Sequence, residues 1–209
     1  MKYLIENGAD VDKKCYHVDT PLMSATKNNN ESIVKLLIEN GADVNKEDEY
    51  GYTPLVEATK NNNKTIMKYL IENEADVNKG NKDGETSLIL ACSRGYEDIV
   101  KILIENGADV NKEEYYGETP LLELGYYGHE NIVKILIENG ADVNKGNKNG
   151  DTPLILACRK GYEDIVKLLI EKGADVYKEN KNGNTPLIRA YLRGFKDIMK
   201  LLIENGADI

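Results

Sequence analysis

"TSLILACSRGYEDIVKILIENG", residues 86–107, predicts two short helices joined by a glycine. Thr86 is a good N-cap, and Gly95 can take the positive φ that ends a helix. The second half carries an apolar stripe at helical spacing with charged residues on the opposite face; the stripe consists of Ile99, Val100, Leu103 and Ile104. This pattern stops at Gly107. We therefore expect a helix, a turn and a second, amphipathic helix.

The same pattern recurs at a fixed step of 33 residues. Thr-Pro-Leu or Thr-Ser-Leu begins at Thr20, Thr53, Thr86, Thr119, Thr152 and Thr185. Proline suits the first helical position, because its missing N–H would have no partner there. Gly-Ala-Asp keeps the same step, except that Glu74 replaces one glycine. Such self-similarity is typical of stacked supersecondary units that bury their faces against their neighbours.

Left-handed backbone is expected wherever a helix of this array ends. The first helices reach glycine in the later units, but the first two units have Asn29 and Asn62 at that position. Asparagine is the next best residue for this conformation. Glu74 is a poor one, and we expect it to cost about 1 kcal/mol relative to glycine.

Helix, turn, helix and a protruding loop at this step resemble the ankyrin repeat, whose signature begins Thr-Pro-Leu. The resemblance covers the whole chain and implies an all-α repeat solenoid in which each helix-turn-helix is followed by a β-hairpin-like loop. The expected boundaries are an N-terminal half repeat at 1–12 and repeats at 13–45, 46–78, 79–111, 112–144, 145–177 and 178–209, the last truncated. The opening MKYLIEN repeats residues 67–73, so the chain starts inside a second helix. We expect a fragment of a longer array or multidomain protein, or other material covering both ends.

Two departures from the family pattern concern the first helix. The histidine of the signature is replaced by apolar residues, so apolar packing should substitute for its polar bridge; these residues are Met23, Val56, Ile89, Leu122, Ile155 and Ile188. The helix alanine becomes Leu124 in the fourth repeat, where Gly125 follows and could make room.

Composition and charge exclude several classes of function. A net charge of -9 argues against nucleic acid or an anionic membrane as the main partner. The longest apolar runs are about three residues, far short of a transmembrane or signal-peptide segment. Three cysteines without disulfide or metal spacing favour a reducing compartment, so we expect a cytoplasmic or nuclear protein. It should be a monomer unless exposed terminal repeats associate.

No catalytic constellation is found, and we expect no enzyme activity, cofactor, metal or small-molecule ligand. His17 and His129 lie three repeats apart and cannot share a site. Cys92 and Cys158 repeat at twice the period and are expected in the core. Cys15 is expected to be exposed, without a neighbouring base.

Four asparagines follow Asp-Val in the loops: Asn45, Asn78, Asn111 and Asn144. Their context resembles sites that asparaginyl hydroxylases modify in ankyrin repeats. We expect instead a local role, in which each asparagine side chain hydrogen-bonds to the loop backbone.

The ankyrin resemblance implies a partner on the concave face, contacted by loop tips and first helices. Seven of the 13 tyrosines fall on such positions, which make up 36 of the 209 residues; they are Tyr16, Tyr50, Tyr52, Tyr115, Tyr116, Tyr126 and Tyr127. Tyrosine is typical of recognition surfaces. Acidic loop residues and basic helix ends complete the predicted site, with Glu47, Glu49, Glu113, Glu118, Arg159, Lys160 and Arg193.

These features predict a non-catalytic protein-interaction scaffold whose partner is another protein with a basic patch and some acidic residues. The alternative is a substrate-recruiting segment of a larger enzyme or effector, with the catalytic part outside this chain. The tyrosine bias argues against a spacer with an even surface.

Overall fold

The computed structural model describes residues 1–14 and 19–208. Within them the regular elements are helices in repeated pairs, with no strand. The helices are α1 (Lys2–Glu6), α2 (Pro21–Lys27), α3 (Glu31–Glu39), α4 (Pro54–Lys60), α5 (Lys64–Glu72), α6 (Ser87–Arg94), α7 (Glu97–Glu105), α8 (Pro120–Tyr127), α9 (Glu130–Glu138), α10 (Pro153–Lys160), α11 (Glu163–Glu171), α12 (Pro186–Arg193) and α13 (Lys196–Glu204).

The helices form two compact units. The first unit comprises residues 1–91 and 98–108, and the second comprises residues 92–97 and the chain from 109 onward. In the first unit α2 packs on α4 and α3 on α5. In the second, α10 lies between α8 and α12, and α11 between α9 and α13. First helices therefore stack on first helices and second helices on second helices within each unit.

Each first helix begins as its sequence predicts. The Thr119 hydroxyl accepts a hydrogen bond from the backbone N–H of Leu122 at 3.3 Å, and Pro120 occupies the first helical turn. The same cap is present at Thr20, Thr53, Thr86, Thr152 and Thr185. This side-chain oxygen satisfies one of the orphan N–H groups at the helix start, which is why threonine recurs there.

The predicted left-handed helix ends are confirmed. Gly128 has φ 82°, while Asn29 and Asn62 both have φ 53°. Glu74 also adopts positive φ, at 68°, the conformation for which its side chain is poorly suited.

An aromatic ring packed against the turn gives a second reason why glycine follows the first helix in the later repeats. A Cβ added to Gly128 would lie 2.7 Å from the Tyr162 ring, and one added to Gly161 would lie 2.6 Å from the Phe195 ring. The His129 ring sits under Gly95 in the same way. These aromatic residues begin the second helix of the following pair, so each turn is packed against its successor.

Apolar packing replaces the family's polar bridge in the first helices. Met23, Val56, Ile89, Leu122 and Ile155 are all buried. Ile188, the last residue of this set, is 40% exposed. The predicted substitution of apolar packing is thus confirmed at the first five positions.

Gly125 makes room for a neighbouring helix. A Cβ at this position would lie 2.7 Å from the Leu156 Cβ of α10. Leu124 itself is completely buried. The glycine therefore allows α8 and α10 to approach closely, and the Leu156 side chain lies where a side chain at position 125 would collide with it.

The loops are hairpin-like turns closed by backbone hydrogen bonds. In the loop at 113–118 the N–H of Glu114 donates to the carbonyl of Glu118 at 3.0 Å, and the N–H of Gly117 donates to Glu114 at 2.9 Å. Lys148, in the next loop, donates its N–H to the carbonyl of Tyr116 at 3.0 Å. Successive loops of the second unit are therefore joined edge to edge.

The four loop asparagines bond to the next repeat, and the expectation of a local contact was wrong. The side-chain amide of Asn144 donates to the carbonyl of Gly173 at 3.0 Å, and its oxygen accepts from the N–H of Asp175 at 2.8 Å. Asn45 makes the same pair of bonds to Glu74 and Asp76. The side chains of Asn78 and Asn111 donate to the equivalent carbonyls, those of Gly107 and Gly140. Each asparagine thus links one loop to the helix end that follows.

Candidate protein-interaction surface

Two tyrosines project from the loop at 113–118 in the second unit. Tyr115 and Tyr116 are 63% and 65% exposed. Their rings meet edge to face with centroids 5.2 Å apart, and the Lys148 ammonium lies 4.2 Å from the Tyr115 ring centroid. Aromatic pairing and the cation–π contact restrict both rings although most of their surface faces water. The loop therefore presents two ordered aromatic side chains.

Tyr126 occupies a different environment, because it is half-buried behind this loop. Its hydroxyl donates to Glu118 Oε1 at 3.1 Å, and the Arg159 guanidinium lies 5.3 Å from its ring centroid. Burial, followed by the charge of Glu118, raises the pKa of Tyr126 to about 12. The hydroxyl consequently stays protonated and tethers the helix end to the loop.

Glu118 is the acceptor at the centre of this tether. Its Oε1 also accepts from the Asn147 side-chain amide at 2.7 Å, whereas its buried Oε2 has no hydrogen-bond partner in the part of the chain that the structure describes. Burial raises the pKa of the Glu118 carboxyl above its usual range, and the two donors oppose that shift. Both Glu118 and Tyr126 therefore support the loop, while Tyr115 and Tyr116 form its exposed surface.

Tyr127 is the last of the predicted tyrosines in the second unit. It is 54% exposed at the end of α8. The neighbouring carbonyl of Tyr126 accepts a hydrogen bond from the Tyr162 hydroxyl at 3.0 Å. This contact anchors the backbone beside Tyr127 to the following pair of helices.

The first unit places its predicted tyrosines on a similar loop. Tyr50 is 59% exposed, and its N–H donates to the buried Asp48 carboxylate at 2.9 Å. Tyr52 is half-buried, with the Lys60 ammonium 3.3 Å from its ring centroid. Hydrogen bonding to the exposed Glu49 raises the pKa of the Tyr50 hydroxyl. Tyr50 and Glu49 are the exposed members of this set.

Lysines pair with two of the predicted acidic residues. Glu113 lies 2.7 Å from Lys145 Nζ, and Glu47 lies 2.9 Å from Lys79 Nζ. Sequence analysis did not single out these lysines, although each follows its glutamate by 32 residues. That constant offset was the available signal. The acidic side chains at these loops are therefore partly neutralised within their own unit.

The predicted basic residues gather at the ends of α10 and α12. Arg159, Lys160 and Arg193 line a pocket of about 510 Å³ together with Phe195. Arg159 lies 3.9 Å from Asp151, whereas Lys160 and Arg193 are exposed. The structure thus brings three of the predicted cationic residues together.

The residues weighed for chemistry are dispersed or buried. Cys92 and Cys158 are fully buried and unpaired, and burial raises the pKa of both thiols. The expectations for Cys15, Tyr16 and His17 lie outside the described residues. Across 1–14 and 19–208, no group of three or more His, Cys, Asp or Glu side chains could hold a metal ion. No helix in those same ranges is both long and apolar enough to cross a membrane.

Paired helices with hairpin-like loops define the class of this protein, and the comparisons define its family. The sequence profile of the ankyrin repeats matches three times, at residues 1–81, 76–147 and 121–209. The crystal structure of an ankyrin repeat domain from Acinetobacter baumannii AYE is similar, with a TM-score of 0.84, 35% identity and coverage of 90% of this chain and 98% of that one. No curated protein matches the chain. The chain belongs to the ankyrin repeat family, whose repeats generally bind other proteins and are typically non-catalytic.

Proposed function

We propose that this chain is a non-catalytic scaffold that binds a partner protein on the concave face expected of ankyrin repeats, through loop tips and first helices. The observation that carries the proposal is the ordered, exposed pair Tyr115 and Tyr116. Exposed aromatic rings already held in place lose little conformational entropy on binding, so they are effective anchors. Tyr127 and, in the first unit, Tyr50 extend the proposed contact surface.

The partner is proposed to carry a basic patch. Glu49 is exposed beside Tyr50, and Glu113 is exposed beside the Tyr115 loop. Lys145 partly neutralises Glu113, so its contribution to partner attraction is modest. We place the interaction in the cytoplasm or nucleus, since the unpaired thiols of Cys92 and Cys158 suit a reducing compartment.

Identification of a partner followed by measured affinities tests this function. The immobilised chain captures candidate partners for mass spectrometry, and calorimetry then measures binding of the purified partner. Tyr115→Ala/Tyr116→Ala should weaken binding at least tenfold, or about 1.4 kcal/mol, because it removes both anchors.

The matched control removes two exposed tyrosines elsewhere. Tyr3→Ala/Tyr177→Ala changes the same residue type at exposed positions outside the proposed surface and should leave affinity within twofold of the parent. Thermal melting confirms that both variants are folded. Equal affinity of the two double variants for the purified partner would contradict the proposal.

A further inference from the structure

The pocket between the ends of α10 and α12 has a one-sided electrostatic character. Its lining consists of two arginines, one lysine and one phenylalanine, with no carboxylate. The Phe195 ring is fixed from below, because it packs against the turn at Gly161 so tightly that a Cβ there would lie 2.6 Å from it. The pocket thus combines a rigid apolar floor with cationic walls.

The cationic side chains that line this pocket have few anionic partners within the protein. The side chains of Lys160 and Arg193 form no hydrogen bond or ion pair with any described residue. Arg159 has Asp151 at 3.9 Å, near the limit for an ion pair, and its guanidinium also lies over the Tyr126 ring. The positive charge is therefore available to a ligand.

Arg189 adds a second guanidinium to α12, one helical turn before Arg193 and on the same side of the helix. It does not line the pocket, and its buried Nε has no hydrogen-bond partner among the described residues. The cationic groups that a ligand in the pocket can reach are therefore those of Arg159, Lys160 and Arg193.

Helix polarity alone does not account for this arrangement. Cations near a helix C-terminus are stabilising, and α2, α4, α6, α10 and α12 all have a basic residue in their last turn. However, α8 ends without one, at Tyr126 and Tyr127. Helix stabilisation also does not require that the cationic side chains of α10 and α12 line one pocket with the Phe195 ring.

We infer that this pocket binds acidic side chains of an extended segment of the partner protein. Guanidinium groups pair with oxyanions through two parallel hydrogen bonds, and the Phe195 ring can pack against the aliphatic part of a glutamate. The chain as a whole carries a net charge of -9, which opposes non-specific attraction of an acidic peptide. The assignment rests on the proposed function, since the acidic segment belongs to the bound protein.

Fluorescence anisotropy with a fluorescein-labelled hexaglutamate peptide tests the assignment directly. The full chain should bind this peptide saturably in 50 mM NaCl and more weakly in 300 mM, because salt screens exposed charges. Lys160→Gln/Arg193→Gln should weaken binding at least tenfold. A second arm replaces hexaglutamate by a hexaglutamine peptide with one central phosphoserine. Binding in that arm at least as tight as that of hexaglutamate identifies a phosphorylated side chain as the preferred oxyanion, because that peptide carries far fewer negative charges.

A charge-matched variant controls for the loss of two cations. Lys167→Gln/Lys196→Gln removes the same charge from exposed positions on α11 and α13 and should change the affinity less than twofold. Equal loss in both double variants, or equal binding of hexaglutamate and an unmodified hexaglutamine peptide, would overturn the assignment. Loss of partner affinity in Tyr115→Ala/Tyr116→Ala alongside either result would leave the proposed function standing and refute only the acidic pocket.

Discussion

At single positions in this protein, the backbone conformation determines which residue type is favourable as much as the side-chain contacts do. Glu74 has φ 68°, where every other Gly-Ala-Asp turn of the described chain has glycine. The Glu74 carbonyl accepts from Asn45, and this bond does not depend on the Glu74 side chain. Replacing Glu74 therefore changes the backbone preference while leaving the contact in place.

We predict that Glu74→Gly stabilises the protein by about 1 kcal/mol, because glycine adopts the left-handed conformation without steric cost. The midpoint of urea denaturation measures the change. Glu72→Gly makes the same substitution within α5, where φ is not positive, and should lower the midpoint. An unchanged midpoint for Glu74→Gly would mean that its backbone relaxes to a conformation suited to glutamate.

Two glycines have similar positive φ values but different surroundings. Substituting each of them separates the free-energy cost of the backbone conformation from the cost of packing. Gly140 has φ 88° and nothing within 4 Å of the position a Cβ would take, whereas a Cβ at Gly128 would lie 2.7 Å from the Tyr162 ring. We predict a loss of about 1 kcal/mol for Gly140→Ala and at least about 1 kcal/mol more for Gly128→Ala, since overpacking is added. Urea denaturation measures both. Equal losses would show that the Tyr162 ring moves aside freely.

The carboxyl of Glu118 makes stability depend on pH. Burial raises its pKa in the folded state, so the folded protein holds this proton more tightly than the unfolded chain does. The contribution of Glu118 to the free energy of unfolding is therefore favourable below the pKa of the unfolded chain, about 4.3. This contribution declines as pH rises through the higher pKa of the folded protein.

We predict that Glu118→Gln becomes increasingly stable relative to the parent protein between about pH 4 and pH 7, since the amide needs no desolvated charge. Urea denaturation across that range measures the difference. Glu171→Gln removes an exposed carboxylate from the same unit as the control. A difference in free energy of unfolding between Glu118→Gln and the parent protein that does not increase with pH would contradict the burial of a charged carboxylate.

Neighbouring helix pairs in this fold are joined by side chains that contact residues about one repeat further along the sequence. Asn144 holds the end of α11 through Gly173 and Asp175, at 3.0 and 2.8 Å. By contrast, the side-chain amide of Asn139 donates to the carbonyl of Ile135 within its own helix end. The two asparagines therefore distinguish contacts between pairs from contacts within one pair.

We predict that Asn144→Ala lowers stability by about 1–2 kcal/mol, because two hydrogen bonds between neighbouring pairs are lost. Native-state hydrogen exchange should show faster exchange of the Asp175 amide, whose acceptor is removed. Asn139→Ala should leave that amide unchanged. Equal protection of Asp175 in both variants would contradict the linking role of Asn144.

Sequence was sufficient for local features and insufficient for pairs of distant side chains. Thr119 and Gly128 could be assigned because capping and left-handed turns depend on residue type and position alone. The contact between Tyr126 and Glu118 could not, since it depends on side-chain direction at two positions eight residues apart. The period placed Asn144 in its loop, but left open which side of the loop its amide faces.

Each of the two units is built from contacts between neighbouring pairs of helices. The long-range hydrogen bonds described above join residues 29 to 36 positions apart, close to one period. Energies in such arrays are approximately sums of unit and nearest-neighbour contributions. Changes in repeats that are not neighbours along the chain should therefore act independently.

We predict that Glu74→Gly and Gly128→Ala combine additively to within about 0.5 kcal/mol, because they lie in repeats that are not neighbours along the chain. Urea denaturation of the two single variants and the double variant measures the coupling. Gly128→Ala/Tyr162→Ala provides the contrast, since those residues touch and should couple strongly. Coupling of the distant pair as large as that of the touching pair would contradict nearest-neighbour energetics.

The rings beneath the helix turns also constrain how such a chain can be rebuilt. Gly95 with His129, Gly128 with Tyr162 and Gly161 with Phe195 are each 34 residues apart, so every partnership crosses a repeat boundary. Asn29 instead meets an amide, since Asn63 donates to it at 3.0 Å. An engineer who transplants a single 33-residue cassette would separate the turn from the side chain shaped to lie under it. Lengthening or shuffling the array therefore requires matching each cassette to its predecessor at this position.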